Sequence, residues 1–372
     1  MRPVLIRLLL DHPWRLFEPD VKGVEAVGIA LFTCVLGLTW CAWTLWRRGR
    51  DWTADDKSMA GSWLTAVVLL SFAPPLLIDT ITARFATPDP ATGIVEPIRS
   101  LPIFGYGFFV LVAFLSATAL GQWRAKREGL NHEFVFDVTF WTLIFGVLGG
   151  RLFHLIQYRA YVYKDVRGVG DFLFRSINLS SGGLVLIGAM LGAAVGFFIL
   201  CRLRGMKPLP LLDLLTPSIF LAVGFGRIGC LMYGCCYGDP SSLPWAVTFG
   251  PESAAYDALV SQGYLLKDAP ACMPLHPTQL YSAINAFLLC LLTYAWYPWR
   301  ERAGQVFALG LILYPISRFV IEILRADEST QFGTGLTISQ LLSIGLCIGG
   351  LLLAWWVRSH GALLRHAADG SR

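Results

Sequence analysis

The chain has 372 residues, of which 55% are hydrophobic and only 15% are charged, and its mean hydropathy is +0.58. This composition excludes an ordinary soluble domain and predicts an all-α, polytopic membrane protein. The formal net charge of +5 comes from short basic clusters beside apolar runs rather than from one soluble face, so we expect no nucleic-acid partner.

Nine apolar runs along the chain have about 20 residues each, the length that crosses the hydrocarbon core of a bilayer. In chain order they are 26–46, 63–83, 103–122, 138–157, 183–201, 214–236, 281–297, 304–324 and 336–357. A linker over 83–102, rich in proline, threonine and charge, follows the first two runs and is typical of an exposed loop. We therefore predict an N-terminal extension with two transmembrane helices in 1–100 and a seven-helix core in 101–372.

Basic clusters fall at every second boundary between the apolar runs. They are RRGR at 47–50, RAKR at 124–127, RLRGMK at 202–207, RER at 300–302 and the tail at 358–372. Lys and Arg accumulate on the cytoplasmic side of a membrane. The pattern predicts an amino terminus outside and a cytoplasmic carboxyl terminus. It also places the long segment 237–279 outside, where it would form a small cap.

Three glycines in the stretch GAMLGAAVG, Gly188, Gly192 and Gly196, are spaced four residues apart. Small residues at this spacing lie on one helix face and allow a second helix backbone to approach closely. We expect these glycines to serve helix packing, and we assign them no chemistry.

Three charged residues share one helical face in YPISRFVIEILR, near the end of the eighth apolar run. Arg318 and Glu322 are four residues apart, and Arg325 follows three residues later. Ionisable residues at membrane depth usually mark a functional site. The alternative is an ion pair that neutralises itself near the interface, with long side chains that reach outward.

Further polar residues lie in or beside the apolar runs of the core. They are Tyr106, Arg151, Asp213, Arg227 and His276. The intramembrane arginines Arg151, Arg227 and Arg318 outnumber their acidic partners, which predicts a cavity with surplus positive charge. The planar guanidinium group suits phosphate oxygens, so the phosphate of a phospholipid is the best candidate for the balancing anion.

The stretch GRIGCLMYGCCYG (226–238) resembles the central signature of the prolipoprotein diacylglyceryl transferase family, Gly-Arg-x-Gly-Asn followed by Gly-Glu-x-x-Gly. It keeps Gly226, Arg227, Gly229, Gly234 and Gly238. Other stretches similar to the family are Tyr106 with Gly107, GGR ending at Arg151, HPTQLYS (276–282), YPISRFVIEILR (314–325) and Ser339 to Ile344. Together they cover most of 101–360.

The resemblance implies a seven-helix enzyme with a small periplasmic cap in the inner membrane of a bacterium. Such a transferase passes the diacylglyceryl group of phosphatidylglycerol to the lipobox cysteine thiol of a prolipoprotein, which forms a thioether and releases glycerol phosphate. The implied partners are phosphatidylglycerol, prolipoprotein signal peptides with a lipobox cysteine, and membrane lipid. The resemblance implies no cofactor and no metal.

The resemblance also implies roles for individual residues. Arg227 and Arg318 would stabilise the charge on the leaving phosphate, where one donor typically contributes about 3–4 kcal/mol. His276 is the best remaining titratable candidate for catalysis. The expected substrate-binding residues are Tyr106, Arg151, Arg227, Gly229, Gly238, Arg318, Glu322 and Arg325. Glu322 would orient Arg318, and Tyr106 and Arg325 would contact the headgroup.

Three positions depart from the family's pattern. Cys230 and Cys235 replace the asparagine and the glutamate of the signature. Ile187, in GGLVLIGAMLG (182–192), stands where the family has the histidine often proposed as the base, and isoleucine cannot accept a proton. We therefore expect the positive cavity itself to favour the thiolate of the acceptor cysteine, with His276 a better titratable candidate than His154.

Two other functions stay open at this point. A non-catalytic relative that binds anionic lipid would explain the retained arginines and the lost histidine together. A transporter also places charged residues inside helices, but no internal repeat supports it.

The cysteines Cys230, Cys235 and Cys236 could bind metal or form a disulfide. Packing, or a disulfide to Cys272, is favoured over a zinc site.

Overall fold

A computed structural model describes residues 4–9, 18–19, 25–48, 59–60, 62, 64–69, 100–164, 166, 168–178, 183–325 and 335–360. The chain divides into two compact units. The first unit comprises Met1–Phe108, Met232–Cys235 and Thr248–Met273, and the second comprises Phe109–Leu231, Cys236–Val247 and Pro274–Arg372.

The first unit contains a small β-sheet that the sequence patterns did not predict. Its strands are β1 (Val4–Leu9), β2 (Glu18–Pro19), β3 (Glu25–Gly28) and β4 (Ser100–Phe104), in the order β2-β3-β1-β4. Strand β1 pairs in parallel with β3 and antiparallel with β4. Residues 7–9 of β1 pair on both sides, which satisfies their backbone polar groups, and the stretch VLIRLL is too short for a transmembrane helix.

Helix α1 (Ile29–Arg48) follows β3 in the same unit. It covers most of the first predicted apolar run, 26–46, and its described side chains extend from Ile29 to Trp43. Of the second run, 63–83, only 64–69 is described as helical, and most of the run lies outside the described residues. The two N-terminal transmembrane helices and the domain boundary at residue 100 therefore stay predictions.

Among the described residues, seven helices are long and apolar enough to cross a membrane. They are α2 (Gly105–Arg127), α3 (His132–Gln157), α6 (Leu186–Leu203), α7 (Pro208–Tyr233), α9 (Thr278–Trp296), α10 (Gln305–Glu322) and α11 (Ile338–His360). A 3-10 turn (Tyr297–Trp299) extends α9, and the shorter helices are α4 (Arg159–Val162), α5 (Val169–Ile177) and α8 (Ala254–Ser261). Each long helix coincides with one of the last seven predicted runs, which confirms the all-α polytopic membrane fold.

The backbones of α3 and α6 approach each other closely. A Cβ atom on Gly149 of α3 would collide with the carbonyl oxygen of Gly188 and lie 2.8 Å from the Cα atom of Gly192. A Cβ atom on Gly196 would lie 2.6 Å from the ring of Phe145. Only hydrogen fits at these positions, so the packing role predicted for the glycines spaced four residues apart is confirmed.

Asp213, near the start of α7, holds the start of α10. Its fully buried carboxylate accepts hydrogen bonds from the backbone N–H groups of Gly304 at 2.6 Å and Phe307 at 2.9 Å. Backbone donors at the start of a helix have no partner within the helix, so a buried carboxylate stabilises them. Asp213 therefore has a structural role, because it positions the helix that carries Arg318 and Glu322.

An apolar cluster joins α7, α9 and α10 inside the second unit. Phe220 of α7 and Leu289 and Cys290 of α9 are buried, and Leu313 and Tyr314 of α10 pack against them. The ring centroids of Phe220 and Tyr314 are 5.9 Å apart. This packing places the ring of Tyr314 against α7, the helix that also carries the predicted site residue Arg227.

Candidate active site

The carboxylate of Glu322 lies between two guanidinium groups at the end of α10. Arg318 and Arg325 both donate from NH1 to Glu322 Oε2, and the Arg325 bond is 3.2 Å long. The Glu322 side chain is fully buried, and those of Arg318 and Arg325 are 11% and 6% exposed. The three residues predicted to share a helical face are thus in direct contact, and one carboxylate balances one of two positive charges.

The start of α11 supplies two hydroxyl groups to the same cluster. Thr337 Oγ1 donates to Glu322 Oε1 at 3.1 Å, and Arg318 NH2 donates to Ser339 Oγ at 3.2 Å. Thr337 and Gln340 exchange hydrogen bonds between their side chains and backbone N–H groups, which is a capping box. Sequence reasoning missed Thr337, although the pattern TISQ before an apolar run is the signal of this helix start.

Arg227, near the end of α7, reaches across to α10. Its guanidinium group donates a hydrogen bond to the phenol of Tyr314, and the thiols of Cys230 and Cys236 are among its close electrostatic neighbours. Tyr314 stands one helical turn before Arg318 on α10. The structure therefore brings Arg227 to the turn of α10 that precedes Arg318. Tyr314 is the first residue of the stretch YPISRFVIEILR, and it was not predicted from the sequence as a site residue.

Gly238 stands where three segments of the chain cross. Its N–H donates to the carbonyl oxygen of His276 at 3.0 Å, and the N–H of Asp239 donates to the carbonyl oxygen of Leu324 at 3.0 Å. Gly238 also forms an isolated antiparallel bridge with Arg325. A Cβ atom on Gly238 would collide with Leu324 and lie 2.7 Å from the Cβ atom of His276. Because Gly238 has no side chain, the backbone segments at His276 and at Arg325 can both pack against it.

His276 is linked to two aromatic side chains. Its Nδ1 atom lies 3.3 Å from Tyr281 Oη, which accepts a 2.7 Å hydrogen bond from the indole N–H of Trp245. An indole N–H only donates, so the phenol proton of Tyr281 is available to His276 Nδ1. In that arrangement the neutral imidazole carries its hydrogen on Nε2 and donates there. A base role for Nε2 requires the other tautomer.

Arg151 of α3 is buried, but it is tied to the main chain. Its guanidinium group donates to the carbonyl oxygens of Arg175 at 2.6 Å, Ser176 at 3.0 Å and Gly183 at 3.3 Å. The first two belong to the last turn of α5, where carbonyl groups have no partner within the helix. These bonds make Arg151 a positioning residue that ties α3 to the end of α5 and to Gly183. Its contact with a substrate stays a prediction.

The other predicted residues occupy separate helices. Tyr106 lies in the first turn of α2, within the first unit, and its ring centroid is 6.3 Å from that of Tyr233. Gly229 is buried in α7, and Ile187 lies in the first turn of α6, where its aliphatic side chain offers no proton acceptor. Substrate contacts of Tyr106 and Gly229 stay predictions.

The thiols of Cys230 and Cys236, both in the stretch GRIGCLMYGCCYG, lie close together. The Sγ atoms of Cys230 and Cys236 are within 4.8 Å of each other, and both side chains are half-buried. Cys236 has a left-handed backbone with φ 59°, and its carbonyl oxygen accepts a 2.7 Å hydrogen bond from Thr278 Oγ1. Cys272 is a buried thiol outside any disulfide. Its Sγ accepts a bond from Phe249 N–H at 3.1 Å, and burial raises the pKa of the thiol.

A groove of about 460 Å³ runs between α9 and α10. It is lined by Tyr281, Ile284, Asn285, Leu288, Ser317, Val320 and Ile321. The side-chain amide of Asn285 donates to Ser317 Oγ at 2.8 Å, so polar groups meet across the groove between apolar walls. Such a groove suits an amphipathic molecule, and its α10 wall is continuous with the segment that carries Arg318 and Glu322.

The chain is similar to one family of membrane enzymes. The family model described as prolipoprotein diacylglyceryl transferase matches residues 94–356. The phosphatidylglycerol–prolipoprotein diacylglyceryl transferase of Clostridium tetani is 35% identical over 261 residues, which are 70% of this chain and 95% of the relative. The transferase 2 of Clostridium perfringens is 36% identical over 70% of this chain and 93% of its own length. The enzyme of Rhodopirellula baltica is 25% identical, and that alignment covers 93% of this chain and 89% of the relative.

The matched residues include the whole arginine cluster of α7 and α10, the crossing at Gly238 and the groove. The family model spans most of the chain, and two relatives above one-third identity are matched over nearly their whole length. The chain therefore belongs to the prolipoprotein diacylglyceryl transferase family.

Proposed function

We propose that the chain transfers the diacylglyceryl group of phosphatidylglycerol to the lipobox cysteine thiol of a prolipoprotein signal peptide. The bond between a glyceryl carbon and a phosphate oxygen breaks, and a thioether bond forms between that carbon and the cysteine sulfur. The thiol proton passes to water, and the electron pair of the broken carbon–oxygen bond leaves on the phosphate oxygen of glycerol phosphate. Family membership and the names of the relatives support this reaction.

The observation that carries the proposal is the arginine cluster. Arg318 and Arg325 share the single carboxylate of Glu322, so one formal positive charge remains there to be balanced by an anion. Arg227, beside Tyr314 one turn earlier on α10, adds a further guanidinium group. Burial reduces screening by water, which strengthens the attraction between these groups and a phosphate. We assign Arg227 and Arg318 to the leaving phosphate, because one donor aimed at developing charge typically lowers a barrier by about 3–4 kcal/mol.

Glu322 and its partners would keep the guanidinium groups in place before substrate arrives. The carboxylate is bonded by Arg318, Arg325 and Thr337, so both of its oxygens have partners and its orientation is determined. Tyr314 holds Arg227 in the same way. A preorganised cluster needs little rearrangement when charge develops on the phosphate, which is the condition for electrostatic catalysis.

The acceptor thiol must lose its proton to attack the glyceryl carbon. Nearby positive charge favours the thiolate without a dedicated base, and we propose this electrostatic activation here. His276 accepts a proton at Nε2 only when its Nδ1–H donates to Tyr281, whereas the other tautomer donates from Nε2. We therefore assign His276 to hydrogen bonding at the phosphate rather than to proton abstraction.

The substrates of this reaction are embedded in a membrane, and the site lies on membrane-spanning helices. We place the protein in the inner membrane of a bacterium, with the amino terminus outside and the carboxyl terminus cytoplasmic, as the basic clusters predict. The groove between α9 and α10 would take part of the lipid. Its apolar residues Ile284, Leu288 and Val320 suit an acyl chain, and its polar pair Asn285 and Ser317 suits the glyceryl ester region.

A purified-component assay tests the proposed reaction. Protein in micelles that contain labelled phosphatidylglycerol and a lipobox peptide should attach the diacylglyceryl group to the peptide cysteine, which mass spectrometry detects. In Arg227→Gln a neutral donor replaces the guanidinium group, and we expect kcat/KM to fall by about 100- to 1,000-fold. Arg358→Gln, on an exposed position near the end of α11, is the matched control and should keep its activity.

Two results would contradict the proposal in different ways. Lipid binding without thioether formation would overturn transfer and favour a non-catalytic lipid-binding relative. Undiminished activity of Arg227→Gln would overturn the role that we assign to the arginine cluster.

A further inference from the structure

We propose that Cys230 and Cys236 form a redox modification site beside Arg227, in which the two thiols become a disulfide when the protein meets a two-electron oxidant. The Sγ atoms are within 4.8 Å of each other, so they must approach by at most about 3 Å to reach the bonding distance of about 2 Å. Both side chains are half-buried, which leaves them accessible to a small oxidant.

The backbone around the pair is arranged for this contact. Cys230 lies in the last turn of α7, and the chain then leaves the helix. Cys236 adopts φ 59°, a conformation that residues other than glycine rarely take, and the Thr278 hydroxyl holds its carbonyl oxygen at 2.7 Å. The left-handed turn is therefore stabilised by a bond from α9, and it keeps the Cys236 thiol near the end of α7.

Arg227 places a guanidinium group near the pair. It is three residues before Cys230, on the same side of α7, and both thiols are close electrostatic neighbours of its guanidinium group. A thiolate is the nucleophile in thiol–disulfide exchange, and nearby positive charge favours it over the thiol. Cys272 contrasts with the pair, because it is buried and the pKa of its thiol is raised.

The oxidation step balances as follows. Two S–H bonds break and one S–S bond forms, and two electrons and two protons pass to the oxidant. With diamide as the probe, the N=N double bond accepts them and becomes a hydrazine. A protein disulfide of the thiol–disulfide exchange class would serve in a cell, and it would be reduced to a dithiol.

Peptide mapping of the full-length protein in detergent tests the site. After diamide treatment and alkylation of the remaining thiols, chymotrypsin cleaves after Tyr233 and separates Cys230 from Cys236. We expect the two peptides to stay linked, with a mass two hydrogens below their sum, and dithiothreitol to separate them. Cys235→Ser is the matched control and should keep the link, whereas Cys230→Ser and Cys236→Ser should each abolish it.

A second measurement tests the part played by Arg227. Arg227→Gln should slow diamide oxidation of the pair by about tenfold, since a lower thiolate fraction reacts more slowly. Arg202→Gln, on an exposed position of α6, should oxidise at the parent rate. Absence of the linked peptides in the parent protein, or their persistence in Cys236→Ser, would overturn the proposal. Thiol chemistry is measured without diacylglyceryl transfer, so this site and the proposed function can fail separately.

Discussion

Two buried arginine sites in the second unit differ in the groups that hold the guanidinium side chain. Arg151 donates to the backbone carbonyl oxygens of Arg175 and Ser176 in the last turn of α5 and of Gly183. Arg318 donates to the Glu322 carboxylate and to the Ser339 hydroxyl, and it shares that carboxylate with Arg325. Three carbonyl oxygens accept the hydrogen bonds that Arg151 donates from Nε, NH1 and NH2, whereas Arg318 and Arg325 share one carboxylate and keep one net positive charge. The partners of a buried arginine therefore indicate whether it supports the fold or binds a ligand.

Arg318→Gln should give the largest effect and would test the ligand-binding half of this comparison. The variant loses a charge that we assign to the leaving phosphate, so kcat/KM for diacylglyceryl transfer should fall by about 1,000-fold. Arg204→Gln, whose exposed partner is Asp137, is the control and should leave kcat/KM unchanged. A decrease below about threefold in Arg318→Gln would contradict the assignment.

Glu322→Gln should destabilise the folded protein. Two buried guanidinium groups lose their shared counter-charge, and breaking a buried ion pair typically lowers the free energy of unfolding by about 3 kcal/mol or more. Thermal unfolding in detergent measures this loss. Adding phosphatidylglycerol should raise Tm more in the variant than in the parent, because its phosphate replaces the missing negative charge.

The control for this stability change is Asp137→Asn, which breaks an exposed ion pair with Arg204. Its effect should be about 0.5 kcal/mol or less. If phosphatidylglycerol raised Tm equally in Glu322→Gln and in the parent, the anion would not bind at Arg318 and Arg325.

Arg151→Gln should change stability without changing chemistry. The carbonyl oxygens of the α5 terminus lose charged donors, so the free energy of unfolding should fall by about 2 kcal/mol. We expect KM for phosphatidylglycerol, corrected for the folded fraction, to stay within about twofold of the parent value. A larger rise of KM would instead support the substrate contact predicted from the sequence and would remove the contrast with Arg318.

Ile284→Trp should give the smallest effect and would sharpen the comparison at the lipid groove. The larger ring fills part of the groove, and KM for phosphatidylglycerol should rise about fivefold, as a change of about 1 kcal/mol in a hydrophobic pocket does. Leu292→Trp places the same ring on an exposed position of α9 outside the groove. Equal KM values for the two variants would contradict a role of the groove in lipid binding.

Features that depend on local spacing could be predicted from the sequence. The seven core helices follow from the length of apolar runs, and the contact of Arg318, Glu322 and Arg325 follows from helical periodicity. The close contact of α3 and α6 could be predicted from Gly188, Gly192 and Gly196, because small residues spaced four apart lie on one helix face and allow a second backbone to approach.

Features that depend on how helices pack could not be predicted in this way. Thr337 reaches Glu322 only because α11 starts beside the end of α10, and Tyr314 meets Arg227 only because an apolar cluster joins α7 to α10. Arg151 looked equivalent to Arg318 in the sequence, since the carbonyl groups that hold it have no sequence signature. The four short strands of the first unit escaped notice because two to six residues give too little periodicity.

The crossing at Gly238 determines when the site can be completed during synthesis. The segments that meet there, around Gly238, His276 and Leu324, are delivered one after another as the chain is made from its amino terminus. The pair of α3 and α6 and the bond from Gly238 to His276 can form early, but the bond from Asp239 to Leu324 must wait until α10 has been made. A nascent chain halted before α10 lacks Arg318, Glu322 and Arg325, so lipid meets the complete set of arginines only late in synthesis.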